Sequence, residues 1–215
     1  MARYAGPRCK ICRRHNQKLF LKGGKCSTAK CALDPTHLPQ PRNKRPGQHG
    51  ESNKSFSEYA IRLDEKQKLK SIYGVLERQF RRYFALAVRN REGLTGENLI
   101  KILESRVDNV VYRMGFAPSR SLGRQLVKHH FIEVNGRCVS SPSYNVCAGD
   151  IVKIREKGRQ KESIKKSLEF AQQRGLPAWV EVAPDKMEGK FLRVPDRVET
   201  PIEIKEQYIV EFYSR

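Results

Sequence analysis

Acidic residues are scarce in this sequence. Its 215 residues hold 23 Asp and Glu against 43 Lys and Arg, a formal net charge of +20 with histidine neutral. An excess of that size points to a polyanionic partner, nucleic acid or an anionic membrane surface. Hydrophobic residues, at 38%, are on the low side for a free-standing globular protein. No apolar run approaches the roughly 20 residues that span a bilayer, so no membrane partner is expected. The start of the chain has neither an apolar h-region nor a long Ser/Arg-rich leader, which makes a cytoplasmic protein the simplest expectation. Catalytic machinery is missing as well. There is no Gly-rich phosphate loop, no nucleophile motif and no convergent set of carboxylates, so neither an enzyme nor a small-molecule substrate is expected.

The charge is unevenly spread. Residues 1–54 carry 13 Lys and Arg against 2 acids, 55–103 carry 10 against 6, 104–158 carry 9 against 5, and 159–215 carry 11 against 10. The first quarter is therefore expected to press against phosphate, with Arg3, Arg8, Lys10, Arg13, Arg14 and Lys22 as candidate contacts. The last quarter is better suited to meeting protein. Residues 34–54 are rich in Pro, Gly, Asn and Gln and have almost no apolar side chain to bury. Their nearly uniform positive sign favours an arm that orders on nucleic acid over a solvated linker. Arg42, Lys44, Arg45, Gln48 and His49 are the residues expected to face the backbone.

Four of the six cysteines form a Cys-x2-Cys-x13-Cys-x4-Cys set: Cys9, Cys12, Cys26 and Cys31. Two close pairs of thiolates suit a tetrahedral structural metal site. A reducing compartment argues against disulfides, and metal binding would supply folding energy that this apolar-poor segment lacks. Zinc is the default occupant, and an iron–sulfur cluster is the alternative. His15 lies between the pairs and is expected at solvent or RNA. Cys138 and Cys147 have no close partners and are expected to be small buried residues.

Apolar residues from Leu69 to Val88 keep to three- and four-residue steps, which predicts a long amphipathic helical stretch over 57–90, with Gly74 as a break or kink. The stretch 104–136, ESRVDNVVYRMGFAPSRSLGRQLVKHHFIEVNG, predicts two short helices and a hairpin. Val107, Val110, Val111 and Met114 form one apolar stripe, Ser119 stands ready to cap the second helix, and Asn135-Gly136 is a strong two-residue hairpin signal. Arg120, Arg124 and Lys128 recur at four-residue steps along another face. Arg106, Arg113, Ser119, His129, Asn135 and Arg137 complete the candidate RNA contacts, because the guanidinium fork suits folded RNA. Beyond 158, a helix is predicted to Gly175, then strands near 179–182 and 191–194 around the turn PDKMEGK.

The string SRSLGRQLVKHHFIEVNGR, followed by PSYNV and GDIVKIRE, resembles the RNA-binding module of the ribosomal protein four family. That module also occurs in pseudouridine synthases and some tRNA synthetases. The flanking strings MARYAGPRCKICRR, LFLKGGKC, RPGQHG, EKQKLKSIYGVLERQFRRYF, LTGENL, LPAWVEV, MEGKF and EQYIVEFYSR are similar to the bacterial ribosomal family itself, in its four-cysteine form. Gly123, His130 and Phe131 stand where that family more often has Ala, Gly and His.

The resemblance implies an α+β chain: a knuckle and basic arm at 1–54, a helical domain at 55–103, the module at 104–158, and a segment 159–215 returning to the helical domain. It also implies a structural constituent of the small ribosomal subunit that binds the 5′ domain of 16S rRNA, nucleates assembly and influences decoding accuracy. Ribosomal protein five, ribosomal protein three where mRNA enters, and the protein's own mRNA are the further partners it implies. Two rivals remain on the sequence alone: an RNA-modifying enzyme clamping its substrate with the same module, and a metal-dependent regulator that binds duplex DNA.

Overall fold

Gly74 divides the expected long helix in two. It takes φ +63°, a left-handed conformation that costs glycine little, and its N–H caps the preceding turn. The computed structural model describes residues 4–36, 44–48, 50 and 56–214, and its chain parts into two compact units, 1–96 with 202–215 and 97–201. Among the described residues no helix is long and apolar enough to cross a membrane.

In the first unit, α1 (Arg8–His15) leads into a loop with a 3-10 turn at Gly23–Ser27. Helix α2 (Glu58–Tyr73) starts where the Ser57 hydroxyl accepts from the Ala60 N–H at 3.3 Å, and α3 (Glu77–Arg89) follows the break. The apolar stripe becomes the core, with Leu69, Ile72, Tyr73, Phe80, Tyr83 and Ala87 buried as the periodicity required. The terminal helix, α9 (Glu206–Tyr213), packs along α2 and buries Ile209. Lys66 and Lys68 of α2 are buried. The Lys66 ammonium lies 2.9 Å from Glu77 Oε1 and 4.5 Å from the Phe212 ring centroid. Its apolar stem is covered while its charge stays paired.

The second unit begins within α4 (Thr95–Glu104), and α5 (Val107–Arg113) then precedes α6 (Arg120–Lys128), which is capped by Ser119 as its sequence indicated. A five-stranded antiparallel sheet follows, in the order β2-β1-β3-β5-β4. Its strands are β1 (Ile132–Val134), β2 (Arg137–Cys138), β3 (Ile151–Ile154), β4 (Val180–Ala183) and β5 (Glu188–Phe191). Asn135 and Gly136, at φ +50° and +76°, close the β1–β2 hairpin with Val134 opposite Arg137. Helices α7 (Glu156–Arg159) and α8 (Glu162–Arg174) lie between β3 and β4. Val107, Val110, Val111, Met114 and Phe116 share one core with Ile132, Val134, Val152, Ile154, Ile164, Trp179 and Phe191.

Two expectations need correction here. The segment 159–201 does not return to the helical domain but extends the module's sheet, with Val152 opposite Gly189 in the β3–β5 pair. Only residues 202–215 fall in the first unit. The second strand of the last hairpin also lies at 188–191 rather than 191–194. A tight turn, with the Met187 N–H donating to the Pro184 carbonyl at 3.1 Å, brings Phe191 opposite Val180.

Candidate nucleic-acid interface

The arginines expected to contact RNA divide into an inner and an outer set. Arg106 has 2% of its surface exposed, and its fork grips Asp108 in two hydrogen bonds of 3.0 and 2.6 Å. Arg113 grips Glu104 in the same way, at 3.0 and 2.6 Å. Both arginines are structural, which corrects their expected role in contacting RNA. A buried charge must be paired, and the two carboxylates on the adjoining turns supply the pairing. Among the described residues no buried side-chain N or O lacks a hydrogen-bond partner.

Arg120 and Arg124 form the outer set on α6. Arg120 Nε donates to Asn109 Oδ1 at 2.7 Å, its guanidinium lies 4.7 Å from the Tyr112 ring centroid, and its NH2 is 4.0 Å from Glu104. Arg124 approaches Asp108 at 3.6 Å. One four-residue step further, Lys128 is exposed, followed by exposed His129 and His130. Arg137, across the hairpin, is exposed as well. Asn135 is used within the sheet, where its amide donates to Asp150 at 2.8 Å and accepts from the Ile151 N–H at 2.9 Å. Ser119 is buried as a cap.

Sequence reasoning missed Arg155. Its guanidinium pairs with Glu133 at 3.0 Å and reaches the Cys138 sulfur at 3.7 Å, on the hairpin that follows α6. Its only sequence signal was a basic residue just past a strand. Cys138 and Cys147 are exposed, not buried, because one lies on an edge strand and the other in a turn.

In the first unit, Lys10, Arg14, Lys22, Lys44 and Gln48 are exposed, while Arg8, Arg13 and Arg45 are half-buried. Arg13 donates to the Lys44 carbonyl at 3.2 Å, which ties α1 to the basic arm, and Arg45 stacks 4.2 Å over the Phe56 ring. Arg3, Arg42 and His49 lie outside the described residues. Helix α3 exposes Arg78, Arg81, Arg82 and Arg89.

Cys12 and Cys26 are buried, and Cys9 and Cys31 half-buried. Burial pushes the Cys12 thiol up to about 11, against the Leu19 backbone hydrogen bond, and the other three thiols add to the rise. The Lys22 N–H donates to Cys26 Sγ at 3.3 Å. Four thiolates brought together here would need a cation to hold their charge, whereas the raised value keeps the Cys12 thiol protonated. Among the described residues, however, no group of three or more His, Cys, Asp or Glu is arranged to hold an ion. His15 is not at solvent. Its imidazole is buried and bonded to Asp64.

Residues 3–104 match the ribosomal protein S4/S9 N-terminal domain, and residues 105–152 match the S4 domain. The chain is 52% identical to small ribosomal subunit protein uS4 of Thermodesulfovibrio yellowstonii and 54% identical to that of Laribacter hongkongensis, in each case over the whole of both chains. It is 54% identical to uS4A of Symbiobacterium thermophilum, again over the whole length of each. The chain belongs to the uS4 family of small ribosomal subunit proteins. The uS4 match changes from one domain to the other between residues 104 and 105, within the turns that carry the buried carboxylate–arginine pairs.

Proposed function

We propose that the chain is a structural constituent of the small ribosomal subunit, without catalytic activity, that binds the 5′ domain of 16S rRNA and nucleates assembly around it. The observation that carries this reading is the cationic series Arg120, Arg124 and Lys128 along α6, with Arg137 exposed on the hairpin that follows. Such a series suits the phosphate and ribose edges of folded RNA. The overall charge of +20 would strengthen it through counterion release. Contacts with ribosomal proteins five and three, a role in accuracy, and binding of its own mRNA belong to the same reading. They follow from the family resemblance.

The test is direct competition. The purified protein should bind a transcribed 5′-domain fragment of 16S rRNA far more tightly than duplex DNA at near-physiological salt. Equal affinity for the two would sink the reading.

We further infer that Cys9, Cys12, Cys26 and Cys31 hold one structural zinc ion, with a 4Fe–4S cluster as the alternative. The ligand spacing supports it. The metal would neutralise the thiolates and staple α1 to the loop that follows.

A further inference from the structure

Two chains of charge run from the interior of the second unit toward its surface, and each passes through a carboxylate. Asp108 sits between Arg106, 2.6 Å away, and Arg124, 3.6 Å away. Glu104 sits between Arg113, 2.6 Å away, and Arg120, 4.0 Å away. The inner arginine side chains are 2% and 7% exposed and the outer ones 15% and 11%, so each series is ordered from core to surface. Asn109 braces the second series, donating to Glu104 Oε2 at 2.7 Å while accepting from Arg120 Nε.

The backbone makes this arrangement possible. A Cβ on Gly123 would lie 2.6 Å from the Asp108 carbonyl oxygen, so α6 approaches α5 more closely than a side chain would allow. Gly123 falls between Arg120 and Arg124 on that helix, and the close approach brings both guanidiniums within reach of the carboxylates. Four guanidiniums surround two carboxylates. Each carboxylate is already engaged in a bidentate grip by its inner arginine, so the longer outer contacts orient more than they neutralise.

We propose that Asp108 and Glu104 are positioning residues for RNA recognition, each using a buried arginine as its anchor and presenting Arg124 or Arg120 to phosphate. The inference rests on the rRNA-binding reading above. It makes a prediction opposite to that of simple electrostatics. Removing a negative charge beside a polyanion should tighten binding, whereas removing a positioning carboxylate should weaken it.

The experiment uses the full chain and a transcribed 5′-domain rRNA fragment, with filter binding over a salt series. Asp108→Asn should weaken binding about three- to tenfold and flatten the salt slope by about one counterion, as Arg124→Ala should. The double variant should be no weaker than Arg124→Ala alone. Tighter or unchanged binding by Asp108→Asn would overturn the proposal, and so would losses that add in full. Should Asp108→Asn fail to fold, NMR relaxation of the arginine Nε–Hε groups in the unmodified free protein decides. Arg120 and Arg124 should be ordered where Arg137 is mobile, and equal mobility of all three would overturn the proposal. Failure of the unmodified protein to bind the fragment would instead remove the rRNA reading beneath it.

Discussion

The imidazole of His15, on α1, is hydrogen-bonded to the carboxylate of Asp64, on α2, with Nδ1 and Oδ2 3.0 Å apart. The imidazole is almost wholly buried, so this bond fastens the cysteine-bearing helix to the main helical stack. Burial alone would raise Asp64, but the His15 bond and the charges of Arg45 and Arg14 outweigh it and hold the carboxyl below its ordinary 3.8. A depressed carboxyl stabilises the fold above its unfolded value and stops doing so as pH falls through the folded one. The melting temperature should therefore decline on acidification below about pH 4 more steeply in the unmodified protein than in Asp64→Ala. At neutral pH that variant should lose about 1–3 kcal/mol, because a buried imidazole is left without its partner. Denaturant titrations at several pH values check both points.

The inner and outer arginines should fail in different ways. Arg113→Ala leaves Glu104 buried without its bidentate partner and should cost about 3–5 kcal/mol in a denaturant titration. Arg137→Ala, at an exposed hairpin position, should leave stability within about 0.5 kcal/mol while reducing the salt slope of rRNA binding by about one.

His130 sits at φ +59°, just past the end of α6, where the Phe131 N–H reaches back to the Leu126 carbonyl at 3.1 Å. A residue with a Cβ is strained there and glycine is not. His130→Gly should raise stability by about 0.5–1 kcal/mol, read from its melting curve. A fall in stability would show that the imidazole contributes more than the backbone strain costs.

The Tyr213 hydroxyl donates to Glu77 at 2.8 Å, joining α9 to α3. Tyr213→Phe should cost about 1 kcal/mol and leave rRNA affinity unchanged. Burial, together with the bond to Glu77, raises the phenol above its ordinary 10.0. The stability it supplies is present below that pH and is lost as pH climbs beyond it, so Tyr213→Phe should be the less alkali-sensitive protein.

Metal content decides the cysteine site. Anaerobically purified protein should carry one zinc and no visible absorbance band, and a chelator should then make the segment 4–36 easier to cleave with protease. Iron with labile sulfide and a broad visible band would replace zinc by the cluster. Protein with neither metal would remove the site.

Much of the fold was legible because local signals agreed with the tertiary structure. Ser119 caps the helix it precedes, Asn135-Gly136 makes its hairpin, and Leu69, Ile72, Tyr73, Phe80, Tyr83 and Ala87 of the stripe are buried, although Leu76 and Val88 are exposed. Gly123 and His130, noted in the sequence as departures from the family, both fall at special backbone positions: a close helix approach and a left-handed residue.

What the sequence by itself determined was the charge, the periodicities and the turn chemistry, all properties of neighbouring residues. Which arginines stay at the surface was decided only by the tertiary structure. Arg106 and Arg113 look like Arg120 and Arg124 in a string of letters, and the packing of α5 against α6 gives all four a carboxylate while leaving the α6 pair somewhat more exposed, at 11% and 15% against 2% and 7%. The same holds for His15 and Lys66, whose partners Asp64 and Glu77 lie on other helices. An arginine, lysine or histidine is buried only where a partner from elsewhere in the fold offsets its desolvation, and periodicity carries no record of that partner.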